Sequence, residues 1–246
     1  MKRRLVLVLV LVLLVAVALF FLNATRERGI PILAYHEIGP VSFGDSAMFI
    51  DPAAFREQME YLHAQGYTSI TLRDLHIHFT TGAPLPRRPI VLTFDDGYVG
   101  VYENAWPIMR EFGFTGVLFV TDHLGRPFYM TEAQVQTLID NGFELGNHTR
   151  THRSLPTLSD EELLDDVVTF QRELESRFGV EVVSFCYPMG KFDDRVVEVV
   201  GQAQLRIGVT TVEGFAEATQ GLLTLSRVPL FRFDTLPSFR RKLRGW

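Results

Sequence analysis

The chain has 246 residues with 47% hydrophobic content, enough for one sizeable core and one globular domain. A net charge of −5 argues against a nucleic-acid partner, which needs a basic face, and nothing in the sequence predicts a protein partner. The single cysteine, Cys186, excludes an internal disulfide.

Lys2-Arg3-Arg4 precedes residues 5–22, eighteen positions without a charge. That run is longer than the apolar part of a cleaved signal peptide and close to the roughly 20 residues of a spanning helix. Residues 1–22 are therefore read as one transmembrane helix, a signal anchor with its basic end in the cytoplasm and the domain exported. The alternative is a cleaved signal peptide and a secreted protein. Residues 23–29 form a tether, and residues 30–246 form the domain.

Residues 30–35 predict a first strand ending at His36-Glu37. Asp51-Pro52, an N-cap aspartate before a proline, opens a helix to Gly66. A short strand at 67–70 leads to Thr71-Leu72-Arg73-Asp74, a capping box for the next helix. After a loop at 82–88 comes Pro89-Ile90-Val91-Leu92-Thr93-Phe94-Asp95-Asp96-Gly97. Its apolar run reads as a strand buried on both faces, and Gly97 lets the backbone turn away. Asp95 and Asp96 then sit at the carboxyl end of a central strand, where parallel sheets and barrels place their chemistry. Adjacent carboxylates repel unless a cation or a shared proton relieves them, so a metal is expected.

Beyond Gly97 the pattern predicts a helix at 99–112, a strand at 115–120 and a helix at 131–140. A strand at 143–146 delivers Asn147-His148-Thr149-Arg150-Thr151-His152. Ser159 and Glu162 cap a long helix to Phe178, and a strand at 182–186 precedes Tyr187-Pro188-Met189-Gly190. A helix from Asp193 and strands near 205–210 and 223–228 follow. Strand and helix alternate, which indicates an α/β fold with a parallel sheet or a (β/α) barrel. Arg240-Arg241-Lys242-Leu243-Arg244 is read as a basic, solvated tail of a kind that anionic lipid or wall polymer attracts.

His148 and His152 are four residues apart, so on a helical turn both imidazoles face one way. With a carboxylate they make an N,N,O set of three protein ligands that leaves positions open. The donor types suit zinc or another first-row divalent ion better than magnesium or calcium. The histidine pair alone reads equally as two unrelated loop residues. Joined to Asp95-Asp96 at a strand end, it is a strong constellation.

Thr93-Phe94-Asp95-Asp96-Gly97 and His148-Thr149-Arg150-Thr151-His152 resemble the first two motifs of the polysaccharide deacetylases, the carbohydrate esterase family 4 or NodB-homology domain. The resemblance covers residues 30–233 and implies a distorted (β/α) barrel with fewer strands than a full eightfold one. It also implies that Asp95 is the general base and that Asp96, His148 and His152 hold the metal. Tyr187-Pro188-Met189-Gly190 is similar to the third motif, usually Arg-x-Pro-Tyr-Gly, with Cys186 in the arginine position and Met189 in that of the tyrosine. The family's tyrosine acts through its backbone amide, so Met189 stands as oxyanion donor. Cys186 cannot orient the base as an arginine does, and Arg227 is the candidate substitute.

The family's last motif normally ends in a histidine that serves as general acid, yet no histidine follows His152. In the branch acting on poly-β-1,6-N-acetylglucosamine the domain is circularly permuted and the corresponding strand comes first. Ala34-Tyr35-His36 resembles that strand, which makes His36 the expected acid. His63, His76 and His78 read as surface residues, and Asp122-His123 as possible cleft lining. Phe43, Tyr98 and Trp106 read as core aromatics or sugar contacts.

The resulting expectation is a membrane-tethered, metal-dependent deacetylase of N-acetylated glycans. Exopolysaccharide is favoured over peptidoglycan, and peptidoglycan over chitin oligomers. A catalytically silent glycan-binding domain would have no need of Asp95. A phosphohydrolase would want Asp-x-Asp and no histidine pair.

Overall fold

The computed structural model describes residues 29–41 and 46–244, so the expected N-terminal membrane helix and Phe43 lie outside the described residues. Among the described residues, no helix is long and apolar enough to cross a membrane. Ten strands form. In chain order they are β1 (Ile32–Tyr35), β2 (Glu37–Ile38), β3 (Phe49–Ile50), β4 (Thr68–Ser69) and β5 (Pro89–Phe94). There follow β6 (Val117–Val120), β7 (Glu144–Asn147), β8 (Ser184–Cys186), β9 (Ile207–Glu213) and β10 (Leu225–Pro229). Parallel pairing in the order β1-β10-β9-β8-β7-β6-β5 closes on itself through β1 and β5, giving a seven-stranded barrel, with β4 outside it on β5.

The helices are α1 (Pro52–Ala64), α2 (Leu72–Thr81), α3 (Trp106–Glu111), α4 (Glu132–Asp140), α5 (Asp160–Leu164), α6 (Phe170–Phe178), α7 (Asp194–Gln202) and α8 (Leu236–Lys242). Their starts follow local chemistry. Asp51 accepts from Ala53 N–H with Pro52 next to it, and Thr71 and Ser159 close reciprocal capping boxes with Asp74 and Glu162.

Strand alternation sorts the core into two layers. Ile32, Val91, Val117, Phe119, Ile207, Val209 and Leu225 fill the barrel, while Leu33, Tyr35, Leu92, Phe94, Leu118 and Val120 pack outward under the helices. On β5 the inward file runs Val91, Thr93 and then Asp95; on β10 it runs Leu225 and then Arg227. Period two thus sends a carboxylate and a guanidinium into the same end of the barrel, where the strands finish.

Three features depart from the sequence reading. The β2–β3 pair is too short to show as a pattern. The helix after Gly97 contains a π turn at Val101–Ala105 before α3 begins. The basic C-terminal stretch is not a loose tail: α8 is capped by Thr235 and buries Phe239 completely, with Leu243 buried just beyond its end.

Candidate active site

Asp95 leaves β5 pointing into the barrel and is 2% exposed. Arg227 meets it with a fork, Nη1 donating to Oδ1 and Nη2 to Oδ2, both at 2.8 Å. The same guanidinium donates to Thr210 O at 2.8 Å and Thr93 Oγ1 at 3.0 Å, and Thr93 Oγ1 donates in turn to Leu33 O. A buried charge pair needs such satisfaction on every side. Burial alone would raise the Asp95 carboxyl, but Arg227 overrides it and holds the group well below the usual carboxylate range. Cys186 Sγ lies 3.3 Å from Arg227 Nη2 and 3.5 Å from Asp95 Oδ2.

Asp96 follows with its backbone in the left-handed region, φ 74°, and Gly97 continues the turn at 82°. This reverses the direction of the side chain: Asp95 faces Arg227, whereas Asp96 faces two histidines. Its Oδ1 is 3.4 Å from His148 Nε2 and 3.2 Å from His152 Nε2. Four donors around a metal at ~2.0–2.1 Å stand ~3.3 Å apart along a tetrahedron's edges, so the trio fits a divalent first-row ion.

His148 Nδ1 is 2.7 Å from Cys186 O, a carbonyl that can only accept. Nδ1 therefore carries a proton, and Nε2 faces Asp96. Burial opposes the charged ring, but Cys186, Asp96 and Asp95 hold it well above the ordinary imidazole range, and a bound divalent ion would take the place of the Nε2 proton. Burial, then the neighbouring His148, pushes His152 below its ordinary range, toward the neutral form a metal needs.

The histidine pair does not ride on a helical turn, as its spacing suggested. Residues 148–154 are irregular chain, with Thr149 at φ 66° and His152 at 55°. Side chains that the sequence reading passed over hold this loop. Asn147 Oδ1 accepts from Thr149 N–H at 2.7 Å, Thr149 Oγ1 from His152 N–H at 3.1 Å, and Asp166 Oδ2 from Thr151 Oγ1 at 2.8 Å. Asn147, at a strand end beside a histidine, was the available signal.

His36 lies between β1 and β2, with Nε2 3.9 Å from Asp95 Oδ2. Its Nδ1 is buried with no hydrogen-bond partner among the described residues. Met189 sits on the turn Pro188–Gly190 with φ 56°, half-exposed. Tyr98 stacks on Tyr129 at 5.1 Å, and His123 tilts against Tyr129 at 5.0 Å. Asp122 pairs with Arg177, and Trp106 packs with Tyr102 against the outer core. His63 tilts on Phe112, and His78 Nδ1 meets Ala83 O. The structure thus brings together Asp95, Asp96, His148, His152, His36 and Arg227, drawn from the ends of β1, β5, β7 and β10.

A second cluster, Asp95, His148 and Cys186, also brings ligand atoms together. The Arg227 fork already occupies both Asp95 oxygens, so the trio on Asp96 is the better metal centre.

Comparison with known proteins agrees with this geometry. YxkH of Bacillus subtilis, whose name places it among polysaccharide deacetylases, is 26% identical over 209 residues, covering 85% of this chain and 74% of its own. The poly-β-1,6-N-acetyl-D-glucosamine N-deacetylase of Escherichia coli is 22% identical over 259 residues, covering 87% of this chain but only 38% of its own length. The deacetylase PplD of Streptococcus pyogenes shares the fold with a TM-score of 0.82 at 23% identity, covering 87% of this chain and 97% of that one. The family model for polysaccharide deacetylase matches residues 82–208, which include Asp95, Asp96, His148, His152 and Met189 but neither His36 nor Arg227. That match spans just over half of the sequence, and the chain belongs to the polysaccharide deacetylases, hydrolases of N-acetyl amide bonds.

Proposed function

We propose that the protein is a membrane-tethered, metal-dependent N-deacetylase acting outside the cytoplasm on an N-acetylglucosamine polymer, with β-1,6-linked exopolysaccharide as the favoured substrate. The observation that carries this reading is the division of labour between neighbouring carboxylates. Asp96 faces the two histidines, while Asp95 is kept ionised by Arg227. The named substrate of the E. coli relative favours the exopolysaccharide.

In this mechanism Asp96, His148 and His152 hold a divalent ion, with zinc the best match to N,N,O donors. The ion, when bound, supplies Lewis-acid polarisation of the acetamide carbonyl and acidifies the attacking water. Asp95 takes the water's proton, and Arg227 keeps it oriented and charged for that step. The backbone N–H of Met189 donates to the tetrahedral oxyanion. His36 delivers a proton to the departing amine. Secretion in soluble form is the outcome if residues 1–22 are cleaved.

Acetate release from poly-β-1,6-N-acetylglucosamine, peptidoglycan and chitin oligomers, with and without chelator, tests the proposal. Release from the first that stops on chelation and returns with zinc is expected. Release from peptidoglycan alone moves the substrate to the cell wall, and none from any polymer overturns the enzymatic reading.

A further inference from the structure

The end of the barrel opposite the catalytic residues carries arginines that the reaction does not use. Arg88 precedes β5, and α8 follows the top of β10 back down the outside of the barrel against α1. Arg244, Leu243, Arg88, Tyr61 and Gly29 consequently line one cavity. Arg240 lies over the Tyr61 ring at 4.8 Å and Arg88 over Tyr67 at 5.4 Å. Together with Arg87 and Arg241, these guanidiniums are exposed.

Elsewhere on the surface many arginines are neutralised, and those that have no carboxylate within 4.0 Å among the described residues, Arg110, Arg126, Arg172 and Arg232, each stand on a different segment. Arg56 pairs with Glu111, Arg73 and Arg206 with Glu181, Arg153 with Glu162 and Arg195 with Asp160, all within 2.9 Å. Among the described residues, Arg87, Arg88, Arg240, Arg241 and Arg244 have no carboxylate within 4.0 Å. On a chain of net charge −5, five arginines with no contacting carboxylate at one end of the barrel are a local concentration of positive charge.

The position of the cluster names its partner. Gly29 lies within it, and residues 23–28 are all that separate Gly29 from the uncharged run at 5–22. A tether of that length spans ~20 Å at most. We infer that this arginine face docks on the phosphate headgroups of an anionic bilayer, holding the barrel base-down so that Asp95, Asp96, His148 and His152 open away from the membrane. The inference rests on the anchored reading of residues 1–22. Guanidiniums suit this task because their fork matches phosphate oxygens, and tyrosines beneath them are at home at the headgroup level.

The test uses the full chain with Trp106→Phe, which leaves Trp246, two residues beyond Arg244, as the single tryptophan. The protein is reconstituted into vesicles of brominated phosphatidylcholine, with or without phosphatidylglycerol. Trp246 fluorescence is expected to be quenched only when phosphatidylglycerol is present. The quenching is expected to disappear in high salt and in the triple variant Arg240→Glu, Arg241→Glu, Arg244→Glu, while that variant stays with the vesicles and keeps wild-type acetate release from soluble oligomers. Equal quenching in both lipid compositions, or unchanged quenching in the charge-reversed variant, overturns the inference. Recovery of processed protein lacking residues 1–22 removes the anchored reading instead. The same face is then tested by co-sedimentation of that protein with the anionic vesicles, and lack of binding overturns it. Binding to soluble polyglycerol phosphate but not to vesicles assigns the face to a wall polymer and also overturns it.

Discussion

Arg227 and Asp95, 132 positions apart in the chain, share two 2.8 Å contacts across the barrel interior, one from each terminal guanidinium nitrogen. The position that the family's third motif gives to an arginine on β8 belongs here to Cys186. That short side chain leaves room for a guanidinium arriving from β10, and its Sγ rests 3.3 Å from Arg227.

Replacing Arg227 by methionine strands an ionised carboxylate in the barrel. Removal of one partner from such a pair costs about 3–5 kcal/mol of folding stability. The Asp95 carboxyl, now held down by nothing comparable, is expected to rise, so the acid limb of kcat/KM moves to higher pH. Arg227→Lys keeps the charge without the fork and is expected to fall between the two. Urea unfolding and a pH–rate profile check both effects; an unmoved acid limb in Arg227→Met would mean that Arg227 does not set the charge of the base.

Asp96→Ala, His148→Ala and His152→Ala are each expected to lose bound metal and activity together, because three protein ligands leave none to spare. Asp95→Asn is expected to keep the metal and lose roughly 100-fold or more in turnover, as for loss of a general base. Metal content measured on purified variants separates the two classes. Full occupancy in all three ligand variants would refute the trio.

Much of this architecture is legible in the sequence because its signals are local. Capping boxes at Thr71 and Ser159 mark helix starts, and the apolar run ending in Asp95-Asp96 marks the strand that carries the site. The misreadings also have physical causes. An i,i+4 histidine pair looks the same whether a helix or a loop delivers it, and the left-handed Thr149 and His152 become visible only as backbone angles. The run of arginines in 240–244 masked the apolar spacing of Leu236, Phe239 and Leu243, which packs α8 onto the barrel. The contact of Arg227 with Asp95 depends on β10 standing beside β1, a closure no local pattern reveals.

Glu37 predicts a pH dependence of stability. It is 5% exposed, with Oε2 3.4 Å from Gly100 N–H, and a Cβ on Gly100 would lie 1.6 Å from Oε1. Burial, with Glu103 adding to it, pushes the carboxyl from 4.5 up to about 7. Because the folded value is raised, the folded state binds the proton more tightly. The contribution is fully present below the unfolded value and is lost as pH rises through about 7. The loss amounts to at most about 3 kcal/mol. Glu37→Gln keeps an acceptor oxygen and cannot ionise, so its stability relative to wild type is expected to increase between about pH 5 and pH 8. Urea unfolding at both values checks the sign; a difference independent of pH would show that Glu37 is already ionised throughout.

His36 carries the prediction with the narrowest outcome. Its Nε2 stands 3.9 Å from Asp95 Oδ2, at the end of the barrel that carries the metal histidines, although it comes before them in the chain. No histidine follows His152, and an amine leaves poorly unless it is protonated as the C–N bond breaks. His36→Ala is therefore expected to retain metal and substrate affinity while losing most turnover on the N-acetyl substrate. An aryl acetate ester discriminates between an acid and a structural residue, because its phenolate departs without a proton. The variant's loss on the ester is expected to be much smaller than its loss on the amide. An equal loss on both substrates would assign His36 to holding Asp95 in place, and loss of bound metal would move it to the ligand shell.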